Sequence, residues 1–306
     1  MPASPAPFCK IDVGDINVTF VPDGYIYSEA LPSFPGSTPE MWSANSHLLD
    51  ENGLVVMSLG ALLVRTAGKL VMIDLAWGPH TMEPALRADG TSGPKLKGGA
   101  LIDNLATVGV KPADVDAVVF SHLHGDHTGW IVDPSTSTER GDEPGRALFA
   151  NAVHYLSQAE WDYWTGLSPD EPGPRPSGEQ LAVLGSRVSF LDDGDNPFPG
   201  INVMATPGHT PGHLSLVISS GDERAVVLGD AVHCPIEIQQ PELSFVVDVD
   251  PVLAQRTRAH IEQELLKEKT VAAAPHFADL VFGRLMPGQG RSSWHFPESQ
   301  VFTPGS

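Results

Sequence analysis

Four side chains that can bind a metal ion lie within six residues of one another: His122, His124, Asp126 and His127. Imidazole and carboxylate groups are ligands for zinc and similar transition metals. Gly125 lets the backbone bend tightly between them. The segment can therefore serve two adjacent metal ions, and hydrolysis is the chemistry that such a pair supports.

The apolar run 115–120 leads directly into this cluster and is predicted to be a buried strand. A strand end is a rigid place to mount ligands. Alternation along an extended chain puts His122 and His124 on one side, while Asp126 and His127 can face a neighbouring point. A polar surface turn is a poor alternative interpretation for this pattern after a buried strand.

Other elements must bring further groups to the cluster. Residues 61–64 and 70–73 predict a β-hairpin, and further strands are expected near 153–155, 201–204, 214–218, 225–228 and 270–274. Helices are expected over 101–108, after Ser157, and from Asp250-Pro251 to about residue 267. Residues 1–15 are predicted to be a tail, and 22–50 a long loop carrying aromatic residues. Paired strands with interspersed helices predict a mixed α/β (α+β) domain.

The segment 122–127 resembles the signature of the metallo-β-lactamase superfamily. Three later segments are similar to family motifs in the same order. Residues 206–213 resemble the third-ligand loop, which assigns a metal to His209, and Asp230 takes the place of the bridging carboxylate. His276, after the strand at 270–274, takes the place of the last ligand.

The resemblance implies a four-layer αββα sandwich with metals at one edge of the facing sheets. It spans roughly residues 55–280, so we expect a hydrolase domain over 51–306 preceded by an N-terminal extension with an aromatic loop over 1–50, in a single domain overall. The implied cofactors are two divalent metal ions, with zinc the first choice. The implied metal ligands are His122, His124, Asp126, His127, His209, Asp230 and His276.

Two further residues are expected to orient the imidazoles: Asp74 and His213. Asp74 resembles a supporting aspartate of the family, although this chain has Asp74-Leu75-Ala76 where the family usually has Asp-Thr-Gly. Asp126 is expected both to bind metal and to move a proton to the leaving group, while a hydroxide held between the metals attacks the substrate.

The closest likeness within the superfamily is to the methyl parathion hydrolase and quorum-quenching lactonase branch, on residues 229–233 and 159–164. It implies that His233, Trp161 and Trp164 line a substrate pocket, and Phe34, in the aromatic segment 22–50, is expected to add to its apolar wall. Plain core packing is the alternative for the two tryptophans, and a buried hydrogen-bonded imidazole is the alternative for His233.

The chain carries 38 acidic and 18 basic residues, a formal net charge of −20. This charge disfavours nucleic acids and anionic membranes as partners. Two cysteines form no disulfide framework, and neither a signal peptide nor a membrane span is predicted, so we expect a cytoplasmic protein. A homodimer is a candidate assembly, because the N-terminal segment resembles one that helps pair subunits in the closest branch.

The expected reaction is hydrolysis of a small neutral substrate: a lactone, an ester or an organophosphate triester. A glyoxalase II-type thioesterase is the main alternative, although it needs basic residues to hold glutathione. A metal-dependent nuclease of the same superfamily is disfavoured by the charge. A true β-lactamase commonly has cysteine at the position of Asp230, and a flavodiiron protein needs a flavin domain that residues after 280 are too few to form.

Overall fold

Two β-sheets face each other in the structure, a computed structural model that describes residues 1–88, 90–137, 145–168, 173–288 and 292–304. The first sheet has strand order β5-β6-β2-β3-β4-β7-β8-β9, with β1 paired to β2. Its strands are β1 (Cys9–Val13), β2 (Ile16–Ser28), β3 (Val55–Thr66), β4 (Lys69–Ile73), β5 (Thr81–Met82), β6 (Lys95–Lys97), β7 (Ala117–Val119), β8 (Val153–Leu156) and β9 (Val188–Phe190).

The second sheet follows later in the chain and runs in sequence order from β10 to β15. Its strands are β10 (Ile201–Ala205), β11 (Leu214–Ser220), β12 (Glu223–Val227), β13 (Thr270–Ala273), β14 (Phe282–Met286) and β15 (Ser293–His295). The helices are α1 (Ala30–Ser33), α2 (Pro39–Ala44), α3 (Leu101–Thr107), α4 (Gly125–Thr128), α5 (Gln158–Gly166), α6 (Gly178–Gly185), α7 (Ile236–Gln239) and α8 (Pro251–Leu265).

Alternating side chains build three apolar layers, because successive residues of a strand point to opposite faces. Leu62 packs in the core between the sheets, whereas Leu63 packs on the outer face with helices α3, α5 and α6. In the second sheet Val227 faces the same inner core and Val226 packs outward with α8. The predicted four-layer αββα sandwich is therefore confirmed.

Most elements expected from the sequence form with small boundary shifts. The hairpin is β3–β4, and α3, α5, α8, β8 and β10–β13 all lie where patterns predicted them. Asp250 caps α8 by accepting a hydrogen bond from Leu253 N–H. Ser157 caps α5 through Glu160 N–H, but the Glu160 carboxylate does not return to the cap and bonds elsewhere.

The segment 22–50 is not a long loop, and residues 1–15 are not a tail. Strand β2 continues to Ser28, helices α1 and α2 follow it, and β1 pairs with β2. The pairing shifts register between Pro22 and Gly24, where an irregularity interrupts the ladder with β3. Turn-forming residues in this segment make the strand hard to recognise from the sequence. The strand forms because β3 and β6, on either side of β2, supply its hydrogen-bond partners.

In the described part of the chain, none of the helices has the length and apolar character needed to cross a bilayer, and α8 has 15 residues.

A buried histidine outside the metal motifs should make stability depend on pH. His154 in β8 is 0% exposed, stacks on Phe120, and has no hydrogen-bond partner on either ring nitrogen among the described residues. Burial lowers the pKa of His154 to about 4 from 6.5. Because the unfolded chain takes up this proton first, stability is lost as pH falls from about 6.5 towards about 4 and then levels off.

His154→Gln should therefore flatten the pH dependence of the unfolding free energy. Between pH 7.5 and 4.5 the wild type should lose roughly 2–3 kcal/mol more than the variant, measured by urea unfolding. His260→Gln, on the exposed side of α8, is the matched control and should behave as wild type. Parallel curves for wild type and His154→Gln would contradict the prediction.

Candidate metal centre

The predicted ligands meet at one edge of the two sheets, because that is where their strands end. Strands β4 and β7 are parallel neighbours, so Asp74 and His122 leave the first sheet side by side. Strands β12 and β13 are parallel neighbours in the second sheet, and they deliver Asp230 and His276. The loop between β10 and β11 supplies His209. Parallel pairing thus turns positions far apart in sequence into one cluster.

Two sets of side chains surround the Asp230 carboxylate. We call His122, His124 and His209 the His122 group, and Asp126, His127 and His276 the Asp126 group. Potential ligand atoms of the His122 group and Asp230 all lie within 4.8 Å of one another, as do those of the Asp126 group. The structure thus brings together all seven residues predicted from the sequence.

The His122 group faces the Oδ2 atom of Asp230. His209 Nε2 lies 3.3 Å from this oxygen and His122 Nε2 lies 3.6 Å from it. His124 Nδ1 lies 2.9 Å from His209 Nε2. Three imidazole nitrogens and one carboxylate oxygen therefore converge on one point.

The Asp126 group faces the other carboxylate oxygen, Oδ1. His127 Nε2 and His276 Nε2 lie 3.0 and 3.1 Å from Asp230 Oδ1, and 3.2 Å from each other. Asp126 Oδ2 lies 3.7 Å from His276 Nε2. The two oxygens of Asp230 are thus directed to two different sets of nitrogens.

These groups fit two divalent metal ions. Ligand atoms bound tetrahedrally at about 2.0–2.1 Å lie about 3.3–3.4 Å apart, close to the separations seen here. His122 Nε2 and Asp230 Oδ1 are buried without a hydrogen-bond partner among the described residues, which is costly unless another group satisfies them. The donor set, imidazole with carboxylate, is one that zinc and related metals accept.

Asp74 and Ser121 contact the Nδ1 atoms of two imidazoles. Asp74 Oδ2 lies 2.9 Å from His127 Nδ1 and accepts a hydrogen bond of 2.8 Å from Ser121 Oγ–H. Since that hydroxyl donates to Asp74, its lone pair can accept from His122 Nδ1 at 3.0 Å. Both rings then direct Nε2 towards Asp230. The backbone of Asp74 is in the left-handed region, with φ of 61°.

Oxygen atoms hold two further imidazoles in the same manner. His276 Nδ1 lies 2.9 Å from the Ser58 carbonyl oxygen. His209 Nδ1 lies 3.0 Å from Asp248 Oδ1. An acceptor at Nδ1 leaves Nε2 as the basic nitrogen, the form in which imidazole binds a metal.

His213 supports the backbone of Asp230, whereas it was expected to orient an imidazole. Asp230 N–H donates to His213 Nε2 at 2.9 Å, and His213 Nδ1 lies 2.8 Å from Thr206 Oγ1. Gly229 is required beside it, because a Cβ atom there would lie 2.6 Å from His213 Nε2. Burial lowers the pKa of His213 to about 3, which keeps the ring neutral and able to accept.

Burial also sets the charge of the ligands themselves. It lowers the pKa of His122 and of His124 well below the usual value, so both rings are neutral at pH 7. Burial raises the pKa of Asp230, but the imidazoles around it outweigh this effect and hold the pKa well below its ordinary value. Burial lowers the pKa of His127 and of His209, but Asp230 and the other carboxylates beside them outweigh this effect and hold both values above the usual one. These two rings would therefore release a proton when a metal binds, whereas His122 and His124 are already neutral.

The predicted pocket residues divide into two pairs. Trp164 lies against His124, with ring centroids 5.4 Å apart, and His233 Nε2 lies 3.3 Å from Asp230 Oδ2. Phe34 is fully buried against Trp42 and Phe245, and Trp161 packs near Gly185 in the outer layer. The structure therefore brings Trp164 and His233 to the histidines, and it does not bring Phe34 or Trp161 there.

Sequence reasoning missed Phe245, which stacks on His233 with centroids 3.7 Å apart and lies 6.4 Å from the His209 ring. It also missed a cavity of about 440 Å³ beside His233. Apolar and aromatic side chains line much of this cavity: Leu48, Val56, Pro235, Leu280, Trp294 and Phe296. No local pattern marks these residues, since they come from five separate segments.

Glu160 connects the two ligand-bearing loops and was also missed. Its Oε1 accepts from Leu123 N–H at 2.9 Å and Trp164 Nε1–H at 2.6 Å, and its Oε2 accepts from Thr210 Oγ1–H at 2.7 Å and Gly212 N–H at 3.1 Å. Burial raises the pKa of Glu160, and these four donors counter part of that rise. One carboxylate therefore holds the 122–127 turn against the 206–213 loop.

Glu160→Gln should destabilise the fold by roughly 1–3 kcal/mol, because an amide NH₂ cannot accept and would leave buried donors unpaired. The change is measured as a lower unfolding midpoint in urea. Asp162→Asn, on the exposed face of the same helix, is the matched control. Equal midpoints for the two variants would show that the four bonds contribute no net stability.

Comparison with known proteins supports this description. The metallo-beta-lactamase superfamily model matches residues 61–133 and 148–281. An N-acyl homoserine lactonase of Bacillus cereus is 26% identical over 241 residues, covering 76% of this chain and 86% of that protein. AidC, described as a dizinc quorum-quenching lactonase in complex with a product, is 25% identical with a TM-score of 0.79, covering 96% of this chain and 98% of that one. The hydrolase AbOPH is 27% identical with a TM-score of 0.72, covering 96% and 99%.

These matches confirm the resemblance inferred from the motifs, and with it the enzyme class, a metal-dependent hydrolase. The family model covers more than half of the chain, and its two matched ranges contain all seven residues that the structure gathers into one cluster. The chain belongs to the metallo-beta-lactamase superfamily.

Proposed function

We propose that this chain is a dinuclear zinc hydrolase that opens small neutral lactones, and that N-acyl homoserine lactones are the first class to test. One observation carries the proposal: the two oxygens of Asp230 are directed to two separate groups of ligand atoms. The His122 group with Asp230 would hold one ion, and the Asp126 group with Asp230 would hold the other. When bound, such a pair supplies a nucleophilic water at neutral pH and polarises a carbonyl oxygen.

Asp126 is the residue we assign to proton transfer. Its side chain is 15% exposed, whereas those of His127 and Asp230 are 4% exposed, so Asp126 lies where substrate and solvent can enter. A carboxylate at the mouth of the site can take a proton from the attacking water and return it to the leaving alkoxide of an opened ring. The histidines behind it, held by Asp74 and Ser58, keep their orientation through this transfer.

A neutral and partly apolar substrate suits the surroundings of the site. The segments 22–50, 157–167 and 229–239 contain no Lys or Arg, and the chain carries a net charge of −20. A phosphomonoester or a nucleic acid would need cations near the metals. Phe245 and the cavity beside His233 offer apolar surface for an acyl or aryl group. Relatives named as N-acyl homoserine lactonases favour the lactone over an aryl ester or a phosphotriester.

Zinc, in preference to manganese, iron or cobalt, is part of the proposal, because three imidazoles with a carboxylate suit it. A cytoplasmic location, a homodimer, the lack of a nucleic-acid partner and the division into a 1–50 extension and a 51–306 domain stay predictions. The thioesterase and nuclease alternatives are tested with their own substrates in the same experiment.

The test is a substrate panel on zinc-reconstituted protein. We expect turnover of N-acyl homoserine lactones, with weaker turnover of aryl esters or phosphotriesters and none of phosphomonoesters. S-lactoylglutathione and RNA are included to test the two alternatives. Asp126→Asn, prepared identically, is the control for contaminating hydrolases. Efficient cleavage of RNA or of a phosphomonoester without any lactone cleavage would overturn the proposal.

A further inference from the structure

An arginine occupies the apolar face of helix α8. The buried positions of this helix include Ala254, Ile261 and Leu265, which follow a helical period, and Arg258 falls on the same face with 1% exposure. A buried charge costs several kcal/mol unless it is paired. Arg258 must therefore have partners whose interactions offset the free-energy cost of burying its charge.

Two buried carboxylates lie against this guanidinium. Arg258 Nη1 is 3.4 Å from Glu237 Oε1 and 3.6 Å from Asp248 Oδ2, while Nη2 donates to the Leu243 carbonyl oxygen. The side chains of Glu237 and Asp248 are both 0% exposed. One cation thus connects α8, α7 and the 240–250 loop.

Each of these carboxylates also faces the Nδ1 atom of an imidazole at the metal centre. Asp248 Oδ1 lies 3.0 Å from His209 Nδ1, and Glu237 Oε2 lies 3.4 Å from His233 Nδ1. The opposite nitrogens of the two rings, both Nε2, lie 3.3 Å from the same atom, Asp230 Oδ2. The contacts close a ring that starts and ends at Asp230: Asp230, His209, Asp248, Arg258, Glu237 and His233.

We propose that Arg258 is a positioning residue that holds Asp248 and Glu237 in place, and through them fixes His209 and His233 at the Asp230 Oδ2 side of the metal centre. The ring does not include Asp126, His127 or His276. Its influence should therefore fall on the ion held by the His122 group and leave the ion of the Asp126 group largely unchanged. This inference depends on the metal site proposed above, but not on the substrate proposed for it.

The ion of the His122 group should be affected because Arg258 compensates two buried negative charges beside it. Without Arg258, two carboxylates would be left in a site that excludes water. A buried carboxylate that has lost its cation is no longer fixed in place by an ion pair, and it can then move away from the imidazole nitrogen it faces. Loss of such outer partners typically lowers metal affinity by about 10–100-fold.

The test uses Arg258→Met, which keeps an unbranched apolar side chain of about the size of the aliphatic part of arginine and removes the charged guanidinium. Purified protein loaded with cobalt is titrated with a chelator, while the visible spectrum and the metal content are followed. One of the two ions should be lost at a chelator concentration about 10–100-fold lower than in the wild type, and the other at an unchanged concentration. Arg258→Lys keeps the charge and should restore part of the affinity.

Two control variants separate positioning from packing. Arg256→Met lies on the exposed side of α8 and should leave both ions as in the wild type. Leu265→Ala removes core packing from the same helix and should lower stability without selective loss of one ion. If Arg258→Met resembles Leu265→Ala, with lower stability and two ions bound normally, Arg258 serves packing alone and the inference is wrong.

Two further outcomes remain distinguishable. If Arg258→Met does not fold, Asp248→Asn is used instead, because it weakens the contact between Asp248 and His209 in the same series of contacts. Normal binding of both ions by that variant would overturn the inference. If the wild type itself binds fewer than two ions, the proposed metal centre fails and not the role of Arg258 alone. Lactone turnover is not used as a readout, so a wrong substrate cannot be mistaken for either failure.

Discussion

Asp230→Asn should reduce the metal content of reconstituted protein from about two ions per chain to about one or fewer. The amide keeps the shape of the side chain but removes the negative charge and one of the two basic oxygens. Since Oδ1 faces His127 and His276 while Oδ2 faces His122 and His209, one substitution affects both groups. Turnover should fall by at least about 100-fold, because even outer partners of a metal ligand cost 10–100-fold.

The measurement is elemental analysis after dialysis, combined with turnover on the best substrate of the panel. Asp103→Asn, at an exposed position of α3, is the matched control and should keep both ions. The far-ultraviolet circular dichroism spectrum should stay that of the folded wild type. Two ions per chain in folded Asp230→Asn would refute a bridging role for this carboxylate.

Asp126→Asn should lower kcat by about 10²–10⁴-fold, the usual contribution of a general acid–base group. KM should change by only a few fold, because Asp126 lies at the rim of the ligand cluster and the apolar contacts to substrate come from elsewhere. The amide can neither take a proton from water nor return one to a leaving alkoxide.

Metal content separates this role from simple ligation. The Asp126 side chain is more exposed than those of His127, His276 and Asp230, and its nearest imidazole nitrogen is 3.7 Å away. We expect Asp126→Asn to retain the ion of the His122 group, and an excess of zinc should restore the second ion without restoring kcat. Near-normal kcat with two ions bound would make Asp126 a structural residue only.

The chemistry of the site could be predicted from the sequence because its first half is local. Four ligands lie in residues 122–127, directly after a buried strand, and no distant contact is needed to place them near one another. The later motifs could be assigned through their resemblance to a family, and the structure places His209, Asp230 and His276 with them. Strand alternation and helix caps also depend on neighbouring residues, which is why β3, β4 and α8 appear where expected.

The N-terminal segment could not be predicted in the same way. Pro, Gly and Ser residues near positions 22–50 indicate a loop when only local preference is considered. Strand β2 nevertheless extends to Ser28, because β3 and β6 pair with it on either side. Tertiary pairing overrides weak local preference, and Phe34 is then drawn into a buried cluster with Trp42 and Phe245 away from the histidines.

Residue types and their spacing are enough to predict which side chains could bind metal, that there are enough of them for two ions, and that the strands preceding them are buried. The groups that surround those side chains depend on the folded arrangement. Glu160 joins the 122–127 turn to the 206–213 loop, which are far apart in the sequence, and Arg258 connects the carboxylates that face His209 and His233. Such partners leave no local pattern, because the direction and contacts of a buried side chain depend on the packing of elements distant in the chain. The orientation of the metal ligands, unlike their identity, is therefore a property of the folded protein.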